Sequence, residues 1–144
     1  MGLRYPDQGS GDCFFATTTF KEWQRHGDLP GFYDQMAKSL RFCLDKYRAC
    51  LAGYVFMPSH VHLVLFIAGR DLGGFMRDFK KYIAQKVAGD RGLLGGIWMP
   101  RYDRVVICSE EVMRTKLEYI HQNPVHAAWL PRPWTGNGRA QEII

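Results

Sequence analysis

The apolar positions of the chain fall into short strand-like runs and longer helical stripes, and the two kinds alternate. CFFATTTF (13–20) is dense in aromatic and β-branched residues and reads as a strand. A polar loop with Asp28, Pro30 and Gly31 follows. From Gly31 to about Leu51, the residues Phe32, Met36, Leu40, Cys43 and Tyr47 recur every three or four positions, which predicts a helix. AGYVFM (52–57) and HVHLVLFI (60–67) are two strand-like runs joined by Pro58 and Ser59, so they are expected to pair antiparallel across a turn. Gly69 closes the second run. Leu72, Phe75, Met76, Phe79, Ile83 and Val87 make the stripe of a second helix, 72–88. Gly89, Gly92, Gly95 and Gly96 mark a loop, and a strand is expected over 102–107. Ser109 stands at an N-cap position, with Glu110 and Glu111 in the first turn, where the helix dipole favours acids. The third helix should run to about Gln122, where Asn123-Pro124 stops it. The stretch 131–144 is rich in proline and glycine and is expected to be irregular.

The order is therefore β-α-β-β-α-β-α over a single domain, 1–144. It predicts an α+β fold: a ferredoxin-like β-α-β-β-α-β sandwich with an antiparallel sheet, plus an additional C-terminal helix. That topology hosts many activities and does not by itself supply one.

One strand departs from the apolar pattern. In MPSHVHLVLF (57–66), His60 and His62 flank a single valine at the head of the run. Side chains alternate along a strand, so the two histidines share a face with Val64, while Val61, Leu63 and Leu65 face the helices. Two imidazoles about 7 Å apart along the backbone can converge on one divalent ion. Taken alone, such a pair is more often two surface histidines. Here it stands at the start of a strand, where a turn opens the site to substrate. Two histidines do not complete a site for a hard ion, which needs further oxygen ligands. The sequence contains no HExxH and no zinc-type cysteine spacing. Position 64 is valine, so a third alternating histidine is missing as well.

The third helix carries a second unusual residue. Met113, Leu117 and Ile120 form its apolar stripe, and Tyr119 lies roughly 120° from the stripe's centre. Asn123 is four residues on and shares the side of Tyr119, whereas Gln122 lies toward the other flank. A phenol and a carboxamide therefore project together. A surface tyrosine before a helix-ending Asn-Pro has the same pattern. Tyr82 is a competing tyrosine, but it lies nearer its own helix's apolar stripe. Its +4 residue is Lys86, which cannot bind a cation.

Composition narrows the setting. A hydrophobic share of 47% and a charged share of 23% over 144 residues suit one soluble domain with one core. No apolar run approaches the roughly 20 residues needed to span a bilayer, and the N-terminal MGLRYPDQGSGD lacks a signal-peptide core. Cytoplasmic placement without a membrane partner is expected. The four cysteines, Cys13, Cys43, Cys50 and Cys108, form no CxxC pair and read as reduced thiols, three of them buried. Net charge is +5, which suits a polyanionic partner without requiring one. Arg70, Arg77, Lys80, Lys81, Lys86, Arg91, Arg101 and Arg104 fall in one quarter of the chain, interspersed with four aspartates.

MPSHVHLVLF, IWMPRYDR and EYIHQNPVHAAWL together resemble the IS200-like single-tyrosine transposases. Within them the chain looks most like the branch known as REP-associated tyrosine transposases, with similarity from Cys13 to about Trp129. An HxH after a proline, joined to YIxxNPV about 60 residues later, is a specific combination. The resemblance implies a ferredoxin-like domain of the HUH endonuclease kind. It makes Tyr119 the nucleophile, His60 and His62 two metal ligands, and Asn123 the third, with Gln122 as an outside candidate. It implies a divalent cofactor, Mg²⁺ or Mn²⁺, and single-stranded or hairpin DNA as partner. The implied activity is endonucleolytic cleavage and strand transfer through a 5′-phosphotyrosine. It also turns the basic segment into a candidate DNA contact. Arg77, Lys80, Lys81, Arg101 and Arg104 would then grip phosphates, and Trp98 and Tyr102 would stack on unpaired bases. A homodimer is implied by the insertion-sequence relatives, in which the tyrosine helix can serve the partner's site. The competing expectations are a hairpin-binding protein that has lost cleavage and a metal phosphoesterase acting on nucleotides.

Overall fold

The structure is a computed structural model. It describes residues 12–91, 96–122 and 127–134, with the side chains of 87–91 and 127–134 outside that description. Strand β1 (Cys13–Thr19) enters two short 3-10 turns, Lys21–Trp23 and His26–Asp28, and then helix α1 (Phe32–Tyr47). Strands β2 (Cys50–Phe56) and β3 (His60–Phe66) follow, then helix α2 (Gly69–Arg91), strand β4 (Asp103–Val106), helix α3 (Glu110–His121) and strand β5 (Ala127–Trp134). The sheet order is β4-β1-β3-β2-β5, and every neighbouring pair is antiparallel. The first four strands and the first two helices are the expected β-α-β-β-α-β sandwich.

Alternation along β3 divides the interior into two layers. Val61, Leu63 and Leu65 point to one side, where they meet Met36, Leu40 and Leu44 of α1 and Phe75, Met76, Phe79 and Ile83 of α2. Val64 points to the other side and joins Phe15, Val55, Ile107 and the α3 residue Ile120. Of the stripes read from the sequence, Phe32, Met36, Leu40 and Cys43 of α1, Leu72, Phe75, Met76, Phe79 and Ile83 of α2, and Ile120 of α3 are buried, Tyr47, Met113 and Leu117 are half-buried, and the Val87 side chain lies outside the description. Each large aliphatic or aromatic side chain removed from water on this scale contributes about 1.5–3 kcal/mol.

Polar contacts tie the two outer helices together. The buried Ser39 hydroxyl donates to the Phe79 carbonyl over 3.0 Å. Lys46 and Tyr47 at the end of α1 donate to Asp78 of α2 over 2.7 and 2.5 Å. Gly74 leaves room for this contact, because a Cβ there would lie 2.8 Å from the Tyr47 hydroxyl.

Several boundaries differ from the sequence reading, among them the end of α2, which runs to Arg91 and so takes Gly89 into the helix instead of the expected loop. Helix α1 ends at Tyr47 rather than Leu51, because Arg48 turns into the left-handed region (φ 50°) and Cys50 and Leu51 pair with Phe66 and Leu65 of β3. An apolar Leu51 fits the helical stripe and the sheet core equally well, so periodicity alone extends the helix too far. Helix α2 begins at Gly69, before its first apolar residue. The tail differs as well: residues 131–134, expected to be irregular, belong to β5, which covers the free edge of β2. Proline lacks the N–H that an interior strand must donate, but an edge strand tolerates it. Pro131 and Pro133 fall between the paired positions Trp129 and Trp134, where the register shifts.

All four cysteines are free, and two rather than the expected three are buried: Cys13 and Cys43 are buried, Cys50 is half-buried and Cys108 is exposed. No helix among the described residues is long and apolar enough to cross a membrane.

Candidate active site

The turn before β3 is built tightly. Gly27 donates its N–H to the Pro58 carbonyl over 2.9 Å. A Cβ on Gly27 would lie 2.7 Å from the Pro58 Cα, so only glycine allows this approach. The Met57 N–H donates to the His60 carbonyl over 2.8 Å and closes the turn. His60 and His62 then stand on the same face of β3, as alternation requires, with ring centroids 4.8 Å apart at an interplanar angle of 78°.

Each imidazole has a hydroxyl on its Nδ1. Ser59 Oγ lies 3.0 Å from His60 Nδ1, and Thr17 Oγ1 lies 2.7 Å from His62 Nδ1. Thr17 is the direct β1 partner of His62 in the sheet register. This is the arrangement by which metal-binding histidines are oriented: Nδ1 is engaged, and Nε2 is left for another partner. His62 is 7% exposed. Burial, with positive charge at His60 and Lys116 nearby, pushes it down to about 4, and burial also lowers His60. Neutral imidazole is the form that ligates a metal.

Helix α3 crosses this same face of the sheet. The Ser109 hydroxyl accepts from the Val112 N–H over 3.2 Å and starts the helix as read from the sequence. Ile120 is fully buried among Phe15, Val55, Val64 and Ile107. Its neighbour Tyr119 is turned out of that cluster and is 47% exposed. The Tyr119 hydroxyl lies 3.5 Å from His62 Nε2, at the long end of hydrogen-bond range, with the two rings edge to face at 5.2 Å. A phenol from the last helix and two imidazoles from a central strand therefore share one small volume.

Three further groups border it. The Phe15 ring stacks on His62 at 5.2 Å and 18°, and meets Tyr119 edge-on at 6.2 Å. The Lys116 ammonium, three residues before Tyr119, sits 4.7 Å from the centroid of that Phe15 ring. Its charge also helps to lower His62. On the far side of the pair, the Trp23 indole stands edge-on to His60 at 5.9 Å.

No protein-family model matches the sequence, and neither does any curated protein. Solved structures do match. One is a REP-associated tyrosine transposase bound to a REP hairpin; it is 20% identical, with a TM-score of 0.68 over 86% of this chain and 73% of that one. Another is a putative transposase from Deinococcus radiodurans R1; it is 18% identical, with a TM-score of 0.56 over 87% of this chain and 98% of that one. The chain shares the fold of these two transposases.

The predicted site residues divide into three groups on this fold. His60, His62 and Tyr119 are brought together. Asn123 lies outside the described residues, and Gln122 is the exposed C-cap of α3, with its N–H on the Glu118 carbonyl. Among the described residues no cluster of three or more His, Cys, Asp or Glu could hold a metal ion, so an ion bound at the histidine pair would need other oxygen ligands as well.

The basic segment is not brought to this face. Arg77, Lys80 and Lys81 ride on α2, across the sheet. Arg77 is held by Asp78 of its own helix over 3.2 Å. Lys80, half-buried and lowered by that burial, donates to the Met99 carbonyl over 2.9 Å, and Trp98 Nε1 donates back to the Lys80 carbonyl over 2.9 Å. Trp98 stacks on the core residue Phe20 at 4.3 Å. Lys80 and Trp98 thus pin the segment before β4 to α2. Arg101, Tyr102 and Arg104 line a cleft of about 460 Å³ with Gly73 and Pro100, beside the β4 edge. Tyr82 stacks on Phe42 of α1 at 6.4 Å, also across the sheet from the histidines.

Proposed function

We propose that the chain is a single-tyrosine transposase of the REP-associated kind: a metal-dependent endonuclease and strand transferase acting on single-stranded or hairpin DNA. The observation that carries this reading is the Tyr119 hydroxyl 3.5 Å from Nε2 of His62, with His60 beside it. Thr17 and Ser59 hold the two imidazoles by Nδ1, so both rings fit a divalent ion, Mg²⁺ or Mn²⁺. Asn123 would supply a third ligand, with Gln122 as the alternative. Such an ion supplies Lewis-acid polarisation of a phosphodiester.

The remaining chemistry belongs to the chain. The Tyr119 oxygen forms a bond to phosphorus as the P–O3′ bond of the DNA breaks, and the departing 3′ oxygen takes up a proton while the phenol loses one. One phosphodiester becomes a 5′-phosphotyrosine and a free 3′-hydroxyl. Bond energy is conserved, so a second 3′-hydroxyl can reverse the step and join strands. A tyrosine phenol ionises near pH 10 in water, so its deprotonation needs help at neutral pH. The ammonium of Lys116, one helical turn before Tyr119 and over the Phe15 ring, would favour the charge of the attacked phosphate. Ile120 anchors the helix so that the phenol, and not an aliphatic residue, meets the histidines.

The test is a cleavage assay on labelled hairpin DNA with Mn²⁺, read as protein–DNA adduct on a denaturing gel. Wild type forms the adduct, chelator abolishes it, and Tyr119→Phe binds the hairpin without forming it. Hairpin binding by wild type with no adduct would instead establish the binding-only reading. Strand hydrolysis without an adduct would establish a phosphoesterase.

A further inference from the structure

The structure places Trp23 where no packing demand requires an aromatic residue. It is 61% exposed, the highest value among the exposed large apolar residues of the described chain. Its backbone is also held in an unfavourable conformation. Glu22 and Trp23 have φ of 57° and 56°, two consecutive left-handed residues, neither of them glycine, asparagine or aspartate. Left-handed backbone is unfavourable for any residue that carries a Cβ. A turn under selection only for its path would relieve that strain with glycine. The side chain at this position therefore has a use.

The turn is fastened at its base rather than through the indole. Phe20 N–H donates to the Ser59 carbonyl over 2.9 Å, Lys21 N–H to the Ile97 carbonyl over 2.8 Å, and Trp23 N–H to the Phe20 carbonyl over 3.0 Å. Ser59 is also the residue whose hydroxyl meets His60 Nδ1. The indole is thus fixed relative to the histidine pair by backbone, while its own ring stays in solvent. Four rings follow one another: Trp23 to His60 at 5.9 Å, His60 to His62 at 4.8 Å, and His62 to Tyr119 at 5.2 Å. The last three make up the proposed cleavage centre. The first lies one ring beyond it, on the side away from Tyr119.

We infer that Trp23 is a stacking platform for an unpaired nucleobase next to the phosphodiester cleaved at Tyr119. The inference rests on the DNA-cleaving reading above and adds to it a position where the substrate is held. Indole offers the largest π-face of any side chain, and base–aromatic stacking is tolerant of sequence. The platform fixes where along the strand the phosphate stops; it does not choose the base. It also accounts for a solvent-facing ring on a rigid, strained turn, because a mobile ring would hold the strand poorly.

The test uses the full chain and a DNA hairpin with unpaired oligothymidine flanks on both ends, with one 2-aminopurine stepped through the flanks. 2-Aminopurine loses fluorescence when it stacks. Wild type is expected to quench it at one flank position. Trp23→Ala is expected to lose that quench and to bind about five- to 150-fold more weakly, the equivalent of about 1–3 kcal/mol. Trp23→Phe recovers most of both, and neither variant melts below wild type. If wild type binds the hairpin while Trp23→Ala matches it in affinity and quench, the platform is overturned and the DNA reading stands. If wild type fails to bind the probe at all, the DNA reading itself falls, and the platform with it.

Discussion

His62 shows how one residue gains its chemistry from three elements. Strand β3 points it to the α3 face, Thr17 of β1 fixes its Nδ1, and Tyr119 of α3 approaches its Nε2. The pair His60 and His62, and the outward turn of Tyr119, could be read from the sequence because each depends on spacing within a single element. Thr17 could not, since it is one of three consecutive threonines, and only the cross-strand register selects it. Lys116 sits one turn before Tyr119 and is visible by spacing, but the ring beneath it, Phe15, is contributed by β1. Thr17→Val keeps the shape and removes the hydroxyl. It is expected to lower Mn²⁺ affinity about 10- to 100-fold, as loss of an outer-shell partner does. Isothermal titration of the full chain checks this. Unchanged affinity would mean that packing on Phe15 alone orients the ring.

At the scale of elements, Asp78 is the clearest link between the two outer helices. Its carboxylate takes hydrogen bonds from Lys46 first, then Tyr47 and Arg77, and these hold it well below the usual carboxylate range. A group depressed in this way stabilises the fold above its unfolded pKa, about 4, and the contribution drains away as pH falls through the folded value. Asp78→Asn is therefore expected to lower the melting temperature by a few degrees at neutral pH. The gap should begin to close below about pH 4. Melting curves across that range check it, and a gap that stays constant with pH would show that the charge is not what matters. The helix stripes were legible for the same reason the contacts are strong: Phe75, Phe79 and Ile83 recur at helical spacing and are fully buried. Strand β5 was hidden because its prolines mimic a tail, and only the free edge of β2 gives them a place.

Across the whole molecule, the sheet separates two surfaces. The basic residues of α2 lie on one side, and the histidines and Tyr119 lie on the other. This division follows from β3 alternation together with the path of α3 and was not visible from charge clustering along the chain. It also bears on which subunit's tyrosine would serve a given histidine pair if the chain dimerises. Only residues 107–109 connect β4 to α3, and Ile107 is buried, with its N–H on the Cys13 carbonyl at 2.9 Å. Three residues span at most about 10 Å. Sending α3 to a partner would also uncover Ile120, Val55 and Val64, which lose burial unless the partner's helix replaces it. Tyr119 already lies beside His62 of its own chain. The site is therefore expected to work in cis. Cells expressing Tyr119→Phe and His60→Ala/His62→Ala chains together, with the two co-purified through different tags, test this on labelled hairpin DNA. In cis, neither chain has both a tyrosine and a histidine pair, and no adduct forms. In trans, the Tyr119 of one chain would meet the histidines of the other, and an adduct on the His60→Ala/His62→Ala chain would overturn the cis assignment.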